Sequence, residues 1–273
     1  MRVAVTSPFF NLLPYLKDEL LAAYPNCKFK ETFDPFDKEE LIEFCKGCDA
    51  ALIGLDRFDD EVLIKLPDLK IIALCSAGAD HLDPSALKNH NVKMGWVAGI
   101  NKHAVAEMTI STMINIMRNF HHLSEQLHQG KWPNRRGGHL LQGKTVGIHG
   151  CGNIGQEVVK RLKPFGVNII ACDRIKNPNF YKEFDVEEVT PEELWSKRKV
   201  LTIHLSRNKS TIGLYSENVL DKLRPGIFLI NTSRGRIIDE EALFNRLKTG
   251  KIAAAHLDVF ETEPVHNVLD LFK

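Results

Sequence analysis

The chain has 273 residues, enough for one large domain or two of ordinary size, and its 44% hydrophobic and 26% charged residues exclude a disordered or fibrous protein. Lys and Arg (36) almost balance Asp and Glu (35), so the net charge of +1 provides no basic field for nucleic acid or anionic lipid. We therefore expect a small-molecule partner, with no nucleic acid and no membrane.

The cysteine content indicates the compartment. Six cysteines are too few for a disulfide scaffold, and the opening MRVAVTSPFF lacks the features of a signal peptide. We therefore predict a cytoplasmic protein with free thiols. Cys45-Lys46-Gly47-Cys48 has the spacing of a redox pair or of half a zinc site, but no second pair at ligand spacing accompanies it, so we predict no metal site.

The first 99 residues alternate short apolar runs with amphipathic segments, which is typical of parallel βαβ units. Helix start signals lie between the runs, such as Pro14 ahead of residues 15–24 and Asp37 ahead of residues 41–44. This pattern predicts an α/β domain with a doubly wound, flavodoxin-like parallel sheet. The expected strands are 2–6, 27–31, 50–53, 70–74 and 92–94.

Residues 101–129 have apolar side chains at helical spacing and no internal glycine or proline, which predicts one long helix. Such a helix can be a hinge between domains, a subunit interface or a plain packing helix. The loop that follows, with Gly130, Trp132, Pro133, Gly137 and Gly138, is predicted to be an exposed arm.

The strand and helix alternation restarts after Gly143, and Thr190 and Asp239 are the predicted caps of two of its helices. We predict a second doubly wound domain of the Rossmann type over residues 100–273, after a first domain over residues 1–99. The expected strands are 145–149, 167–172, 200–204, 227–231 and 252–257.

A glycine-rich turn joins the strand 145–149 to a helix over residues 156–163. In the run Gly150-Cys151-Gly152-Asn153-Ile154-Gly155, the first glycine permits a tight turn, the second lets a pyrophosphate approach the backbone, and the third lets helix and strand pack closely. The helix N-terminus then favours phosphate charge. This context predicts a dinucleotide site, whereas G-x-G-x-x-G alone is a weak signal.

Asp173 ends the next strand, 18 residues beyond Gly155. A carboxylate there would accept hydrogen bonds from the adenosine ribose and repel a 2′-phosphate, which favours NAD over NADP. The neighbouring Arg174 could pair with a 2′-phosphate, so it weakens that exclusion.

Two further runs follow strands at the sheet edge where α/β proteins bind ligands. INTSRGRIID at 230–239 carries two arginines, which could be solvated loop charges or a cationic fork for a carboxylate substrate. LDVFETEP at 257–264 carries acids that, by themselves, are compatible with plain solvent exposure.

The chain resembles the D-isomer-specific 2-hydroxyacid dehydrogenases, the family of phosphoglycerate, glycerate and D-lactate dehydrogenases. The runs that carry the resemblance are GKTVGIHGCGNIG at 143–155, INTSRGRIIDEEAL at 230–243 and LDVFETEP at 257–264, with weaker support at 75–83, 104–109 and 202–206. It implies an NAD-dependent enzyme that interconverts a D-2-hydroxy acid and its 2-oxo acid. It also implies a homodimer formed through the helix 101–129 and its arm.

The resemblance also implies roles for individual residues. Arg234 would be catalytic, holding the substrate carboxylate and carbonyl oxygen, and Glu263 would keep a catalytic histidine protonated. The substrate-binding loop would comprise Ser76, Ala77, Gly78 and Ala79, together with Arg234. The implied cofactor contacts are Gly150, Gly152, Asn153, Ile154, Gly155, Asp173, His204, Ser206, Thr232, Ser233, Arg234 and Asp258.

The catalytic histidine of the family has no match in this sequence. Its motif should follow Pro264 after a short segment, and neither His256 nor His266 stands at its position. The resemblance implies that the first domain, residues 1–99, binds the substrate, and we expect this domain to lack its returning segment. The sequence as it stands should therefore be a poor dehydrogenase even if it binds NAD. The alternative is a non-catalytic NAD-binding or regulatory protein of the same fold. Selection of the acid is expected to depend on loops 55–58 and 76–80, where Arg57 is either a contact for a second anionic group or a solvated surface charge.

Overall fold

The structure is a computed structural model that describes residues 1–34, 36–133, 138–197, 199–263 and 265. The chain divides into two compact units, Met1–Ile100 and Asn101–Lys273. Each unit contains one parallel sheet with helices between its strands, which confirms the predicted α/β class.

The first unit contains a five-stranded sheet. Its strands are Val3–Val5 (β1), Cys27–Phe29 (β2), Ala50–Ile53 (β3), Ile71–Leu74 (β4) and Lys93–Gly95 (β5). Its helices are Phe9–Leu12 (α1), Pro14–Ala23 (α2), Lys38–Cys45 (α3), Asp60–Leu63 (α4) and Pro84–Asn89 (α5). The strand order β2-β1-β3-β4-β5 is that of flavodoxin, as predicted.

The core of the first unit lies against its central strands. Ile53 of β3 and Ile72 of β4 are fully buried, and Phe58 and Val62 join the same apolar cluster. α3 begins with the expected capping box, in which Asp37 accepts from the Glu40 N–H and Glu40 accepts from the Asp37 N–H.

The second unit contains a six-stranded sheet. Its strands are Thr145–His149 (β6), Asn168–Cys172 (β7), Val186–Glu188 (β8), Val200–Ile203 (β9), Ile227–Asn231 (β10) and Ile252–Leu257 (β11). Its helices are Lys102–Arg118 (α6), Phe120–His128 (α7), Asn153–Leu162 (α8), Pro178–Glu183 (α9), Pro191–Ser196 (α10), Glu217–Lys222 (α11) and Glu240–Lys248 (α12). The order β11-β10-β9-β6-β7-β8 confirms the Rossmann arrangement, whose topological switch point lies between β6 and β9.

The edge strand β8 was not expected from the sequence. Only Val186 of its three residues is buried, and the other two are exposed glutamates. The strand forms by pairing with β7 and carries no apolar run that a sequence pattern could reveal.

The prediction of one long helix over residues 101–129 is wrong. Asn119 adopts the left-handed conformation (φ 53°, ψ 34°), ending α6 at Arg118, and α7 starts at Phe120. Asparagine tolerates this conformation better than most residues, so the break needs neither glycine nor proline. α6 buries Ala106, Ile110 and Met113, among others, whereas α7 buries no residue.

An ion cluster joins α6 to α8. The buried Glu157 of α8 accepts from Arg161 Nη1 at 2.5 Å and lies 3.2 Å from His103 Nδ1 of α6. The Arg161 guanidinium is the main reason that the pKa of Glu157 falls to about 2. The cluster fixes α8, whose first turn carries the glycine motif, against α6.

No helix in the described part of the chain is long and apolar enough to cross a lipid bilayer.

Candidate functional site

The glycine-rich turn lies at the switch point of the second sheet. Gly150 has φ +91°, and a Cβ there would lie 2.7 Å from the carbonyl oxygen of His204. A Cβ at Gly155 would lie 2.2 Å from the Gly150 carbonyl oxygen, whereas a Cβ at Gly152 would meet nothing within 4 Å. The first and third glycines are therefore required by packing, and the second faces open space.

The N-terminus of α8 is left available for an anion. Gly152 is its N-cap residue and provides no side-chain acceptor, in contrast to Asp239, whose carboxylate caps α12 through the Ala242 N–H. Asn153 and Ile154 form the first turn of α8, where N–H groups have no intrahelical partner. This geometry suits a pyrophosphate.

Asp173 closes the same turn from the end of β7. Its Oδ2 accepts from the Cys151 N–H at 2.5 Å, and its Oδ1 accepts from the Ile175 N–H at 2.8 Å. These two bonds fix the carboxylate beside the glycine turn. Each carboxylate oxygen keeps a further lone pair for a ribose hydroxyl.

A cavity of about 610 Å³ opens beside Asp173 at the carboxyl edge of the sheet. Apolar side chains, including Leu205 and Leu214, line it together with Thr190 and Thr211. Arg174 also lines this cavity. A planar base attached to a ribose fits a cavity of this character.

The Thr232–Arg234 turn follows β10 at the same edge. Thr232 and Ser233 are each 6% exposed, and Arg234 is half-buried. Arg234 Nη1 donates to the Ser233 carbonyl oxygen at 2.7 Å. A guanidinium has five N–H donors in a planar fork, a geometry that matches a carboxylate.

His204 is part of a chain of hydrogen bonds that reaches α6. Its Nε2 lies 3.0 Å from Thr202 Oγ1 and its Nδ1 lies 3.4 Å from Thr232 Oγ1, which lies 3.2 Å from Thr109 Oγ1. The Thr109 hydroxyl donates to the Val105 carbonyl oxygen. Because that donation uses its one proton, Thr109 accepts from the Thr232 hydroxyl. Thr232 in turn accepts from His204 Nδ1, so the neutral imidazole carries its proton on Nδ1.

Desolvation lowers the pKa of His204 to about 3, and both ring nitrogens have hydroxyl partners rather than a carboxylate. The imidazole is therefore neutral at physiological pH. Its side chain supports the Thr232–Arg234 turn. Ser206, two residues further on, is exposed, and its carbonyl oxygen accepts from Thr211 Oγ1 at 2.7 Å.

The loop after β11 lies directly against the Thr232–Arg234 turn. The Asp258 N–H donates to the Asn231 carbonyl oxygen at 3.0 Å, and a Cβ at Gly235 would lie 1.8 Å from the Phe260 carbonyl oxygen. Glu263 Oε1 accepts from the Phe260 N–H at 2.8 Å, so this carboxylate currently stabilises its own loop. Asp258 and Glu263 are both exposed.

In the first unit, the predicted substrate loop follows β4. Residues 76–79 are half-buried, and two bonds shape the loop: Ser76 Oγ donates to the Gly78 carbonyl oxygen at 2.8 Å, and Trp96 Nε1 donates to the Ala77 carbonyl oxygen at 3.1 Å. Both bonds use carbonyl groups, so neither uses the N–H groups of Ala77, Gly78 and Ala79 that the prediction assigns to the substrate carboxylate.

Several predicted features lie outside the described residues. These are Gly137 in the expected arm, Pro264 in the LDVFETEP run and His266.

Sequence reasoning missed two contributors to the site, His149 and Asn231, and the tyrosine that holds the first of them. His149 lines the cavity next to the glycine turn, and its Nδ1 lies 2.6 Å from the hydroxyl of the fully buried Tyr215. Asn231 lies beneath the Thr232–Arg234 turn and is fully buried. Its position as an asparagine directly before a turn was the available signal, because such side chains bond the backbone two residues ahead.

The described residues fit NAD. The glycine turn leaves open space at Gly152, α8 has no side-chain cap, and Asp173 is held beside a cavity suited to an adenosine. These features belong to one unit and to one sheet edge.

Known proteins similar to this chain agree with that fit. Residues 110–273 match the family described as "D-isomer specific 2-hydroxyacid dehydrogenase, NAD binding domain". Glyoxylate reductase/hydroxypyruvate reductase of Mus musculus is 32% identical over 97% of this chain and 82% of its own length. D-3-phosphoglycerate dehydrogenase of Archaeoglobus fulgidus is 34% identical over 83% of this chain, but this alignment spans only 44% of that protein.

A solved structure shows the same likeness in three dimensions. The crystal structure of D-lactate dehydrogenase from Aquifex aeolicus complexed with NAD and lactic acid superposes with a TM-score of 0.84, at 25% identity. The superposition covers 95% of this chain and 77% of that one.

Proposed function

This chain belongs to the family of D-isomer-specific 2-hydroxyacid dehydrogenases, whose cofactor is NAD, and we propose that it interconverts a small D-2-hydroxy acid and its 2-oxo acid. The observation that carries the proposal is the convergence of the glycine turn, Asp173 and the Thr232–Arg234 turn on the carboxyl edge of one sheet. When bound, NAD supplies the hydride chemistry through its nicotinamide ring.

The chain's own residues bind and orient the cofactor. Gly150, Gly152 and Gly155 bring the backbone close to the pyrophosphate, and the first turn of α8, with Asn153 and Ile154, donates N–H groups to it. Asp173 accepts from the ribose hydroxyls. We assign further contacts with the cofactor to five other residues of the second unit: His204, Ser206, Thr232, Ser233 and Asp258.

Arg234 is the residue to which we assign substrate binding and polarisation. Its planar guanidinium can donate two parallel hydrogen bonds to a carboxylate and a further bond to the neighbouring carbonyl oxygen. Positive charge at that oxygen stabilises the negative charge that develops there as hydride arrives. For the loop 76–79 of the first unit, we propose carboxylate binding through its backbone N–H groups.

The reaction also requires a group that donates and accepts a proton. The resemblance implies that this group is a histidine, which Glu263 would keep protonated. We do not assign this role to His204, which stays neutral because its pKa is about 3, or to His256, whose pKa is lowered by burial. We propose that Glu263, an exposed carboxylate on the loop whose Phe260 carbonyl oxygen lies against Gly235, orients a histidine, as the resemblance implies.

We propose that the protein is a homodimer joined through α6 and α7. Phe120 and Leu127 are 64% and 52% exposed, and both line a cavity of about 700 Å³. Trp132 and Leu140, nearby in sequence, are 80% and 63% exposed. Exposed apolar side chains around a cavity are typical of an interaction site, and the resemblance identifies a second copy as its occupant.

We place the protein in the cytoplasm. Its six cysteines are free, and burial raises the pKa of both thiols in the Cys45–Cys48 pair, to about 12 for Cys45. Protonated, buried thiols are poor redox nucleophiles, so this pair has a packing role.

The test is NADH-dependent reduction of glyoxylate, hydroxypyruvate, pyruvate and 3-phosphohydroxypyruvate by the parent protein and by Arg234→Ala. Loss of a charged partner for the carboxylate should lower kcat/KM for the preferred acid by about 100-fold or more, or roughly 3 kcal/mol of transition-state binding. Arg224→Ala is the matched control, because it removes an exposed arginine elsewhere in the same unit. Equal kcat/KM in the parent and Arg234→Ala with every acid would contradict the role.

A further inference from the structure

Asn231 touches three residues of the proposed site although no role has been assigned to it. It is fully buried at the end of β10. Its side chain contacts Ser233 and Arg234, and its carbonyl oxygen accepts from the Asp258 N–H at 3.0 Å. We propose that Asn231 is a positioning residue that presets the backbone of Arg234 for binding the substrate carboxylate. This inference rests on the proposed role of Arg234.

The amide of Asn231 has a unique orientation. Its Oδ1 accepts from the Ser233 N–H at 3.1 Å and from Ser233 Oγ at 2.7 Å, and its Nδ2 donates to the Arg234 carbonyl oxygen at 2.9 Å. A flipped amide would place its N–H groups against the Ser233 N–H and an oxygen against the Arg234 carbonyl oxygen. An amide satisfies both sides of the turn at every pH, since it combines an acceptor with a donor and does not titrate.

The three bonds restrict the turn on both sides of Arg234. The Ser233 contacts fix the residue before it, and the Nδ2 contact fixes its own carbonyl group. In a buried site, losing such a partner leaves polar groups unsatisfied, so the turn is held in one conformation.

The packing around Gly235 links the conformation of the turn to the position of the Arg234 guanidinium. A Cβ at Gly235 would lie 1.8 Å from the Phe260 carbonyl oxygen, so the backbone just after Arg234 lies directly against the loop that carries Glu263. A shift of the Arg234 carbonyl group would therefore move the guanidinium relative to that loop. Positioning errors of about 1 Å are known to reduce catalysis by about 100-fold.

The decisive experiment measures binding of oxalate, a non-reacting mimic of a 2-oxo acid, to the protein saturated with NADH. Asn231→Ala removes all three side-chain bonds and should weaken oxalate binding by about 10- to 100-fold, with NADH affinity changed less than about threefold. Asn168→Asp is the control for Asn231→Asp. It makes the same exchange at an exposed position, the first residue of β7.

Asn231→Asp gives a signature that a merely structural role would not produce. An ionised carboxylate keeps the acceptor for Ser233 but cannot donate to the Arg234 carbonyl oxygen, whereas a protonated carboxyl group can. Burial raises the pKa of the introduced group, so oxalate affinity should recover as pH falls from about 8 to about 6. The parent and Asn168→Asp should show no such recovery.

Amide hydrogen exchange of the unmodified protein provides a test that needs no variant. If the turn is preset, the Ser233 N–H is protected before oxalate is added. Rapid exchange of this proton in the oxalate-free protein would overturn the inference, as would parent-like oxalate affinity in a folded Asn231→Ala. If Asn231→Ala does not fold, a pH-independent, parent-like affinity of Asn231→Asp would overturn it.

Failure of the proposed function and failure of the inference about Asn231 give different results in oxalate binding. If Arg234→Ala binds oxalate as tightly as the parent, Arg234 does not bind the carboxylate, and the inference falls with the proposed function. If Arg234→Ala loses oxalate and both Asn231 variants keep it, only the inference fails.

Discussion

The loops at the carboxyl ends of the two sheets are held in different ways. In the second unit, added Cβ atoms at Gly155 and Gly235 would lie 2.2 Å and 1.8 Å from carbonyl oxygens. In the first unit, the nearest atoms to added Cβ atoms at Gly54 and Gly95 are 3.7 Å and 3.6 Å away, which is ordinary contact. Backbone packing thus fixes the second edge, whereas the first edge leaves room for side chains to change.

This difference separates two tasks. This chain matches a family model of an NAD-binding domain, and the proteins similar to it are named for different acids, among them phosphoglycerate, glyoxylate and lactate. A fixed edge suits a constant cofactor, and an edge with exposed side chains, such as Leu55 at 78% exposure, suits a variable acid. We therefore propose that the second unit sets the geometry of the bound cofactor and that the first unit selects the acid.

Gly155→Ala should have the largest effect. Its methyl group has no room beside the Gly150 carbonyl oxygen, so the free energy of unfolding should fall by about 3 kcal/mol or more, and NADH binding should be lost. Thermal unfolding and NADH fluorescence measure both effects. The matched variant Gly95→Ala should lose less than about 1 kcal/mol, and equal losses would remove the difference between the two edges.

The His204 hydrogen-bond chain predicts a pH dependence of the second unit. The folded-state pKa of about 3 lies below the ordinary value of 6.5, so the unfolded chain binds the proton more readily. The free energy of unfolding should therefore decrease as pH falls from about 6.5 to about 3, with an upper bound of about 5 kcal/mol from this group.

Denaturant unfolding at several pH values checks this prediction. His204→Asn should be less stable than the parent near pH 7 but should show a flatter slope between pH 6.5 and 5. The pKa of Glu157 is lowered instead, so the stability from that group is lost only below about pH 4.5 and does not affect this range. Identical slopes in the two proteins would show that His204 is not held neutral.

Asp173→Ala should weaken NAD binding by about 10- to 100-fold, because it removes the ribose acceptor and the bond to the Cys151 N–H. It should also reduce discrimination against NADP, since Arg174 at the same cavity remains to pair with a 2′-phosphate. Titrations with both cofactors measure this change. Glu183→Ala, an exposed acid of the same unit, should leave both affinities unchanged. Equal affinity of the parent for NAD and NADP would be evidence against the role of Asp173.

The smallest effect on stability is expected in the first unit. Leu55→Ala should change the free energy of unfolding by less than about 0.5 kcal/mol and leave NAD affinity unchanged, yet alter the ratio of kcat/KM between glyoxylate and a larger oxo acid by a few-fold. Ile64→Ala, also an exposed apolar residue of this unit, should leave the ratio unchanged. Unchanged selectivity in Leu55→Ala would place acid selection elsewhere.

The sequence predicts best those features that depend on neighbouring residues. The strand β6, the glycine turn and the acid after β7 lie within 30 residues of one another and follow local chemical requirements, so the dinucleotide fit could be anticipated. The alternation of short apolar runs with helical patterns allowed both sheet orders to be anticipated. The break at Asn119 was missed, since an asparagine in a helical pattern carries no strong stop signal.

Other features could not be predicted because they depend on contacts between distant residues. Thr109 and Thr232 are 123 positions apart, yet they form one buried hydrogen bond. β8 exists through its pairing with β7, and the need for glycine at position 235 arises from the backbone of Phe260. Local patterns contain no information about such partners.

The most direct test of the account is NADH formation from NAD with paired enantiomers of glycerate and of lactate. We predict turnover of a D-enantiomer, no turnover of its L-counterpart, and loss of the reaction in Arg234→Ala. If the protein carries the histidine that Glu263 would orient, tight NAD binding without turnover of any enantiomer would contradict the proposed enzyme and favour an NAD-binding regulatory protein. Turnover of the L-enantiomer alone would contradict the assigned stereochemistry.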